Sequence, residues 1–314
     1  MNMDIKFIDG NTPPHNSDFY CNKNIFINRR KNTPFLLIIL AGYKSYLFDD
    51  VFDRVKNYAP KNLDICITSS GLYDEKLEHI ARKNNWSYLI TKVNNIPMAQ
   101  NLSIMIHEKA EMIYKMDEDI FVTENCFEKL LQTFKEVQQN GHYNIGFVAP
   151  LIPINGYGHV RILEILGLDK FYEQKFEKIL YGAQPGRMIE KNPDVAKFMW
   201  GEGNIIPSID KMNAAFQMRK ISYNICSTRF SIGMILFHKN LWKIMGGWKI
   251  PPEGDSGIGR DEEQICIFCM AASLGMIISE NVVVGHLSFG QQNEAMKEYY
   301  LNHREVFRCP IVKN

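Results

Sequence analysis

Short runs of apolar residues alternate along the chain with segments in which apolar residues recur at helical spacing. The first continuous run is Phe35–Leu40, and Ala41 and Gly42 end it, as expected of a strand covered on both faces. A helical pattern follows at residues 47–55, and a second apolar run begins at Leu63. A strand, a helix and a second strand in this order predict the start of a parallel sheet.

The same alternation continues to residue 149 and returns near Phe230. It predicts helices at residues 77–81, 97–110, 127–137 and 265–274, and strands at residues 86–91, 112–116, 145–149 and 282–284. Residues 151–225 instead show a mixed helical pattern with several aromatic side chains. We expect them to form a mostly helical insertion packed over the sheet. The predicted fold class is therefore α/β, a Rossmann-like open mixed sheet flanked by helices.

These patterns divide the chain into five segments. Residues 1–34 are rich in Asn, Pro and charged residues, and we expect them to wrap the surface of the domain. Residues 35–150 and 226–290 form the two halves of the α/β domain, and residues 151–225 are the insertion between them. Residues 291–314 form a C-terminal tail.

The composition indicates a globular protein with one large core, alone or with a smaller subdomain. The chain has 314 residues, of which 46% are hydrophobic. Because 36 Lys and Arg face 35 Asp and Glu, no overall field favours nucleic acid or anionic lipid.

The sequence also suggests a reducing compartment. No stretch approaches about 18 uninterrupted apolar residues, and the start lacks the basic and apolar regions of an export signal. We therefore predict a cytoplasmic protein, either free or peripheral to a membrane. An odd number of cysteines, seven, fits this compartment. Cys266 and Cys269 lie in an apolar helical pattern that favours core packing over a zinc site.

An acidic turn, Asp117-Glu118-Asp119, directly follows the predicted fourth strand. Ligands of open α/β sheets bind at the carboxyl ends of the strands. Two carboxylates one residue apart at such an end can bind a hard divalent cation, which fills its other coordination positions with phosphate oxygens. The alternative is that the three acidic residues only cap the next helix.

Four later features add chemistry, and each has a purely structural alternative. Gly233 would let the backbone approach a ligand, or is a simple strand glycine. The Pro- and Gly-rich loop 251–259 is either a lid or a surface connection. Asp261 and Glu262 open an apolar helix, where they act as a general base or only favour the helix dipole. His286 follows an apolar strand and is a metal ligand or a structural side chain.

In this order, Asp117-Glu118-Asp119, Gly233, Asp261-Glu262 and His286 resemble the motifs of the GT-A glycosyltransferases, especially the inverting glycosyltransferase family 2. The resemblance covers roughly residues 35–150 and 225–290. It implies a GT-A type fold in which residues 35–150 bind the nucleotide sugar and residues 226–290 form the catalytic half. It also implies an enzyme that uses Mn²⁺ or Mg²⁺ to move a hexosyl or pentosyl group from a nucleotide sugar to a hydroxyl of a glycan or other acceptor.

The resemblance assigns roles to individual residues. Asp119 and His286 would bind the metal, with Asp117 at the metal or the ribose of the nucleotide sugar. Glu262 or Asp261 would be the base. Apart from the resemblance, Trp200 and Trp248 are candidate acceptor contacts. The predicted contacts to the nucleotide sugar are Ala41, Tyr43, Ser69, Gln100, Asn101, Asp117, Glu118 and Gly233.

Three positions depart from the family pattern. Gln100 stands where the family usually has Arg, which removes a positive charge. The second strand ends in Thr68-Ser69-Ser70 without the acidic residue that reads uracil, so the base of the nucleotide is not predicted. The acidic pair is reversed to Asp261-Glu262; by its spacing to the following helix Glu262 occupies the family's base position, and Asp261 stays a candidate base.

The resulting hypothesis is direct displacement at the anomeric carbon, with inversion of configuration. Two other functions stay open: a sugar nucleotidyltransferase, which would release pyrophosphate, and a catalytically idle module that binds glycans or nucleotide sugars. A Rossmann dehydrogenase is disfavoured because neither Gly156-Tyr157-Gly158 nor Gly257-Ile258-Gly259 follows a first strand. The near-neutral charge is compatible with a nucleic-acid acceptor. The sequence predicts no acceptor identity and no oligomeric state.

Overall fold

The computed structural model describes residues 4–11, 18, 22–182 and 186–310. Parts of the predicted N-terminal segment, of the insertion and of the C-terminal tail therefore lie outside the described residues. The chain forms two compact units, each made of three segments. Unit 1 contains residues 1–48, 60–118 and 236–268, and unit 2 contains residues 49–59, 119–235 and 269–314.

Unit 1 is built on a mostly parallel sheet. The strands are β1 (Ile5–Asp9), β2 (Asn24–Asn28), β3 (Phe35–Leu40), β4 (Asp64–Ser70), β5 (Ser87–Thr91) and β6 (Met112–Asp117). Strands β1 and β2 pair in parallel, β2 pairs with β5 in antiparallel orientation, and β3 pairs in parallel with both β4 and β6. The strand order is β1-β2-β5-β4-β3-β6. All seven residues of β4 are buried, as expected of a strand covered on both faces.

The helices of unit 1 begin at residues suited to that place. Helix α2 (Glu75–Lys83) starts after Asp74, whose carboxylate accepts a hydrogen bond from the amide of Leu77. Helix α3 (Ile96–Ile106) starts after Asn95, which accepts from the amide of Met98, and Pro97 lies in its first turn. Both helices contact β5. Helix α10 (Lys239–Ile244) and most of helix α11 (Arg260–Ala271) complete the unit.

Unit 2 contains a second set of strands and most of the helices. Strand β8 (Ile145–Leu151) pairs in parallel with β11 (Gly275–Val283), which pairs in antiparallel orientation with β9 (Tyr223–Ile225). A separate pair joins β7 (Ile120–Phe121) to β12 (Gly285–His286). Strand β10 (Met234–His238) contains the boundary between the units. The helices are α1 (Phe48–Tyr58, from Asp49 onward), α4 (Cys126–Asn140), α5 (Gly158–Leu166), α6 (Asp169–Lys175), α7 (Met188–Lys191), α8 (Pro193–Met199), α9 (Ile209–Gln217), α12 (Asn293–Asn302) and α13 (Arg304–Phe307).

A buried guanidinium anchors Phe307 and Arg308 within unit 2. Arg54 on α1 forms a double hydrogen bond with Asp210, with both distances at 2.8 Å. Its Nε and Nη2 also donate to the carbonyls of Phe307 and Arg308 over 2.7 and 2.8 Å. One side chain thereby joins three segments that are distant in sequence.

The predicted α/β class, with strands that are mostly parallel and packed by helices, is confirmed. The N-terminal segment differs from the expected surface wrap, because β2 is almost entirely buried and hydrogen-bonded into the sheet of unit 1. The helix expected at 265–274 begins earlier and ends at Ala271, since Gly275 already opens β11. In the described part of the chain, no helix is long and apolar enough to cross a lipid bilayer.

Candidate active site

Lys115 brings the two acidic motifs of unit 1 together. Its Nζ lies 2.8 Å from Oδ1 of Asp117 at the end of β6 and 3.8 Å from Oδ2 of Asp261 in the first turn of α11. The lysine side chain is buried, with 4% of its surface exposed. Asp117 and Asp261 are far apart in sequence, yet they face the same cation. Asp117, predicted to lie near the nucleotide sugar, and Asp261, a predicted base, are therefore neighbours in space.

The charge of Lys115 is matched to these carboxylates. Burial lowers the pKa of its ammonium group. The charges of Asp117 and Asp261 and the hydrogen bond to Asp117 raise this pKa by a larger amount, so the net shift is upward. Lys115 therefore stays protonated at neutral pH. A buried cation between two carboxylates keeps both of them in a fixed place.

Gln100 orients Asp261 from the other side. Its Nε2 on α3 donates to Oδ2 of Asp261 over 2.9 Å, and both side chains are buried. Glu262, the other candidate base, is half-buried at the next position of α11. The position at which the family usually has Arg thus holds an amide that bonds directly to a candidate base.

Glu118 anchors the turn after the first central strand. Its carboxylate accepts hydrogen bonds from the backbone amide of Gly42 over 2.8 Å and from that of Tyr43 over 3.1 Å. Ser69 donates to the carbonyl of Ala41 over 2.8 Å, which ties the end of β4 to the same turn. Four of the predicted contacts to the nucleotide sugar, Ala41, Tyr43, Ser69 and Glu118, therefore belong to one hydrogen-bonded cluster.

Tyr43 is the exposed member of this cluster. Its ring is 60% exposed, while its hydroxyl donates to the carbonyl of Ser70 over 2.7 Å. Partial burial and the charge of Glu118 raise the pKa of the phenol. The ring therefore presents a free face held by a hydrogen bond at its tip, which is suited to stacking on a flat ligand.

Asn101 and Trp248 hold each other within unit 1. Asn101 accepts from the amide of Trp248 and donates to its carbonyl, and it also accepts from Nε1 of Trp242. Trp248 is only 3% exposed, and its indole nitrogen is buried without a hydrogen-bond partner in the described structure. Both residues therefore act in packing here, and their predicted ligand contacts stay predictions.

Asp119 and His286 form a pair within unit 2. Oδ2 of Asp119 lies 3.3 Å from Nε2 of His286, and the Asp119 carbonyl accepts from the amide of Leu287. The antiparallel pairing of β7 with β12 places His286 opposite Ile120. Two strands of two residues each thus fix the spacing of the two predicted metal ligands.

The hydrogen bond of Nδ1 determines which tautomer the neutral ring of His286 adopts. Nδ1 lies 3.1 Å from the carbonyl of Ile154, which is only an acceptor, so Nδ1 carries the proton. In the neutral ring Nε2 then presents a lone pair to the carboxylate of Asp119. Two acceptors at this distance repel each other unless a proton or a cation lies between them.

This donor set fits a divalent metal. An imidazole nitrogen oriented through its second nitrogen, beside a carboxylate oxygen, is a common pair of metal ligands. Within the described residues no group of three His, Cys, Asp or Glu side chains is arranged to hold an ion. A divalent ion bound by Asp119 and His286 would have further coordination positions for oxygens of a bound phosphate.

Trp200 supports the histidine strand instead of facing an open surface. It is 2% exposed, and its Nε1 donates to the carbonyl of His286 over 3.0 Å. A side chain at Gly285 would collide with its ring, because an added Cβ would lie 2.3 Å from the ring carbon Cη2. Its acceptor contact stays a prediction. Gly233 is buried directly before β10, close in sequence to Ser231, whose carbonyl accepts from Asn155.

Lys115 is the residue that the motif search missed. The sequence does contain a signal, because it is the one charged side chain in the otherwise apolar strand Met112–Met116. A buried lysine in a central strand requires a partner. One partner, Asp117, lies two residues later in the sequence, and the other, Asp261, belongs to the acidic pair much further along the chain.

No family model matches the chain, and no curated protein matches it. Among solved structures, the crystal structure of GalNAc-T7 with UDP, GalNAc and Mn²⁺ is 12% identical, with 86% of this chain and 48% of that chain covered and a TM-score of 0.47. The mannosyltransferase PcManGT from Pyrobaculum calidifontis, in complex with GDP-Man and Mn²⁺, is 11% identical, with 82% and 58% covered and a TM-score of 0.45. The chain spans roughly half the length of these structures.

Proposed function

We propose that the chain is a metal-dependent, inverting glycosyltransferase that moves a sugar from a nucleoside-diphosphate sugar to an acceptor hydroxyl. The observation that supports this most is the cluster in which Lys115 faces both Asp117 and Asp261. It joins two acidic motifs that the sequence presents separately. The order of those motifs along the chain resembles the GT-A glycosyltransferases.

Asp261 is the proposed general base. Lys115 and Gln100 both face its Oδ2, and Oδ1 makes no hydrogen bond to any described residue. An oriented carboxylate with one free oxygen can accept a proton from a hydroxyl as that hydroxyl attacks. Glu262 lies one residue further along the helix and is the alternative base, whose role Glu262→Gln tests beside Asp261→Asn.

Asp119 and His286 are the proposed metal ligands. A metal bound there would neutralise the charge that develops on the departing nucleoside diphosphate. The hydrogen bond from Nδ1 of His286 to Ile154 orients the ring so that Nε2 is available to a cation.

The turn at Ala41–Tyr43 is the proposed contact to the nucleoside. Glu118 binds two of its backbone amides, so the turn is ordered before any ligand arrives. The exposed ring of Tyr43 then offers a surface for a base. Gly233 is retained as a proposed contact to the nucleotide sugar from the sequence resemblance alone.

The test is a screen of nucleotide sugars for turnover with Mn²⁺ or Mg²⁺, in which the released nucleotide is identified by chromatography. We expect release of a nucleoside diphosphate, and NMR of the transferred sugar should show an inverted anomeric configuration. Asp261→Asn should reduce turnover by at least about 100-fold. Glu263→Gln, a change at an exposed carboxylate on the same helical turn, should leave turnover near wild type. Release of pyrophosphate, or full activity in Asp261→Asn, would overturn the proposal.

A further inference from the structure

Unit 1 contains a pocket that none of the predicted site residues lines. It has a volume of about 590 Å³, which is in the range of small-molecule sites. One wall is the start of α3 with the residues before it, and the other is the loop 250–256. The lining residues are Val93, Asn94, Asn95, Met98, Ile250, Pro251, Pro252, Glu253, Gly254, Asp255 and Ser256.

The walls combine apolar faces with hydrogen-bond acceptors. Aliphatic and proline side chains provide flat apolar surface, and two amides and two carboxylates provide polar contacts. A pyranose ring has the complementary chemistry, with apolar C–H faces and hydroxyl groups around the edge. Hydroxyl groups donate their strongest hydrogen bonds to charged acceptors such as carboxylates.

The charge of the pocket argues against an anionic ligand. Asp255 accepts from the amide of Gly257, and Arg260 is its ion-pair partner at 3.3 Å. Glu253 is exposed and makes no hydrogen bond or ion pair to the described residues. A phosphate or diphosphate in this pocket would be repelled by an uncompensated carboxylate. The ligand should therefore be neutral.

The pocket lies close to the proposed base along the same elements. Asn95 precedes the first turn of α3, and Gln100, which bonds to Asp261, is five positions later, or about 7.5 Å along the helix axis. The amide of Ile96 donates to the carbonyl of Ser256 over 2.9 Å, which fastens the loop to the helix start. The loop then continues directly into α11, which carries Asp261.

We propose that this pocket binds a neutral sugar residue of the acceptor, with Glu253 accepting hydrogen bonds from its hydroxyls. The inference rests on the proposed glycosyltransferase function and deepens it. It places the acceptor at the loop 250–256 and not at Trp200 or Trp248, both of which are buried.

The experiment measures sugar binding and donor turnover separately. Methyl glycosides of glucose, galactose, mannose and N-acetylglucosamine are titrated into the full chain, and binding is followed by saturation-transfer NMR. Hydrolysis of the nucleotide sugar without acceptor is measured on the same samples. Val93→Trp fills the pocket, and Glu253→Gln removes its free charge. The matched controls are Met105→Trp, on an exposed part of α3, and Glu108→Gln, just after that helix.

We expect at least one glycoside to bind, and its affinity should fall about tenfold in Val93→Trp and in Glu253→Gln. Both controls should bind as the wild type does, and hydrolysis of the nucleotide sugar should be unchanged in these two controls. Equal binding in every variant, or no binding by any glycoside while hydrolysis persists, would overturn the pocket assignment and leave the proposed function intact. Pocket-dependent glycoside binding with no turnover of any nucleotide sugar would support the sugar site and overturn the proposed function. Displacement of the glycoside by inorganic phosphate through the same pocket residues would contradict the assignment of a neutral ligand.

Discussion

Gln100 Nε2 donates to Asp261 Oδ2 over 2.9 Å, and this bond joins helix α3 to the first turn of α11, the helix that carries the acidic pair. The amide is neutral, so it fixes the direction of the carboxylate without adding a second cation beside Lys115. The two residues are 161 positions apart in sequence. The sequence alone shows only that Gln stands where the family usually has Arg.

Gln100→Leu should therefore reduce kcat more than it changes KM for the nucleotide sugar. Loss of one hydrogen bond to a charged group costs about 1.5–3 kcal/mol, which corresponds to a decrease in kcat of about tenfold or more. Steady-state kinetics with the preferred nucleotide sugar would measure this. Gln100→Glu, which places a second carboxylate beside Asp261, should be more severe. Unchanged kcat in both variants would remove the positioning role of Gln100.

Lys115→Met should destabilise the fold as well as abolish turnover. Removal of one partner from a buried ion pair leaves uncompensated charge and costs about 3 kcal/mol or more, and here two carboxylates lose their cation. Urea unfolding at neutral pH would measure the loss. Lys109→Met, at an exposed position of the same unit, should change the free energy of unfolding by less than about 0.5 kcal/mol. Similar stability in the two variants would mean that the cluster around Lys115 contributes little.

His286→Ala and Asp119→Ala should each weaken Mn²⁺ binding by at least about tenfold. Electron paramagnetic resonance of free Mn²⁺ would measure the affinity without any need for activity. Unit 2 contains a second pair of a histidine and a carboxylate that serves as a control. His303 Nδ1 lies 3.7 Å from a carboxylate oxygen of Glu305 on the surface. His303→Ala should bind Mn²⁺ as the wild type does. A metal affinity that depends equally on both histidines would disprove a specific site at His286.

The fold should lose stability between pH 6.5 and pH 4 because of His159. Burial, together with the charge of Arg187, lowers the pKa of this side chain from 6.5 to about 4, against an opposing hydrogen bond to the backbone of Asn155. In this window the unfolded chain binds a proton that the folded chain does not, so stability falls as the pH falls. The gap amounts to about 3 kcal/mol at about 1.4 kcal/mol for each pH unit.

Urea unfolding at pH 7 and at pH 4.5 would test this. In His159→Gln the decrease in stability between the two values should be smaller by about 2 kcal/mol, and in His142→Gln, at an exposed position, it should match the wild type. Burial also lowers the pKa of His107, which acts in the same direction and leaves some pH dependence in every variant. An identical pH dependence in His159→Gln and the wild type would show that His159 is not buried as a neutral side chain.

Much of the α/β core follows from local pattern. The runs at Phe35–Leu40 and Met112–Met116 are strands, and the acidic turn does lie at a strand end, because continuous burial leaves a clear apolar signature. The strand Asn24–Asn28 was not predicted, since its neighbours are polar and its hydrogen bonds to β5 come from 60 or more residues away. Its burial depends on tertiary pairing that a local window does not contain.

The candidate site also has a part that is visible in the sequence and a part that depends on the fold. The acidic turn and the acidic pair are visible in the sequence as motifs, but their meeting through Lys115 depends on the register of β3 with β6 and on the placement of α11. Asn101 and Trp200 show the converse. Their residue types suggest ligand contacts, yet each is engaged by backbone groups from distant segments, Asn101 by Trp248 and Trp200 by His286. Side-chain partners of this kind are set by the fold and not by the motif.

Gly257 allows the loop that follows residues 250–256 to pack directly against the first turn of α3. Its φ of +75° is accessible to glycine, and an added Cβ would lie 2.6 Å from Cδ of Pro97 in the first turn of α3. The loop can therefore rest directly on the helix that carries Gln100. A ligand in the pocket would therefore contact, on its two walls, the start of the helix that carries Gln100 and the loop that leads into the helix of Asp261.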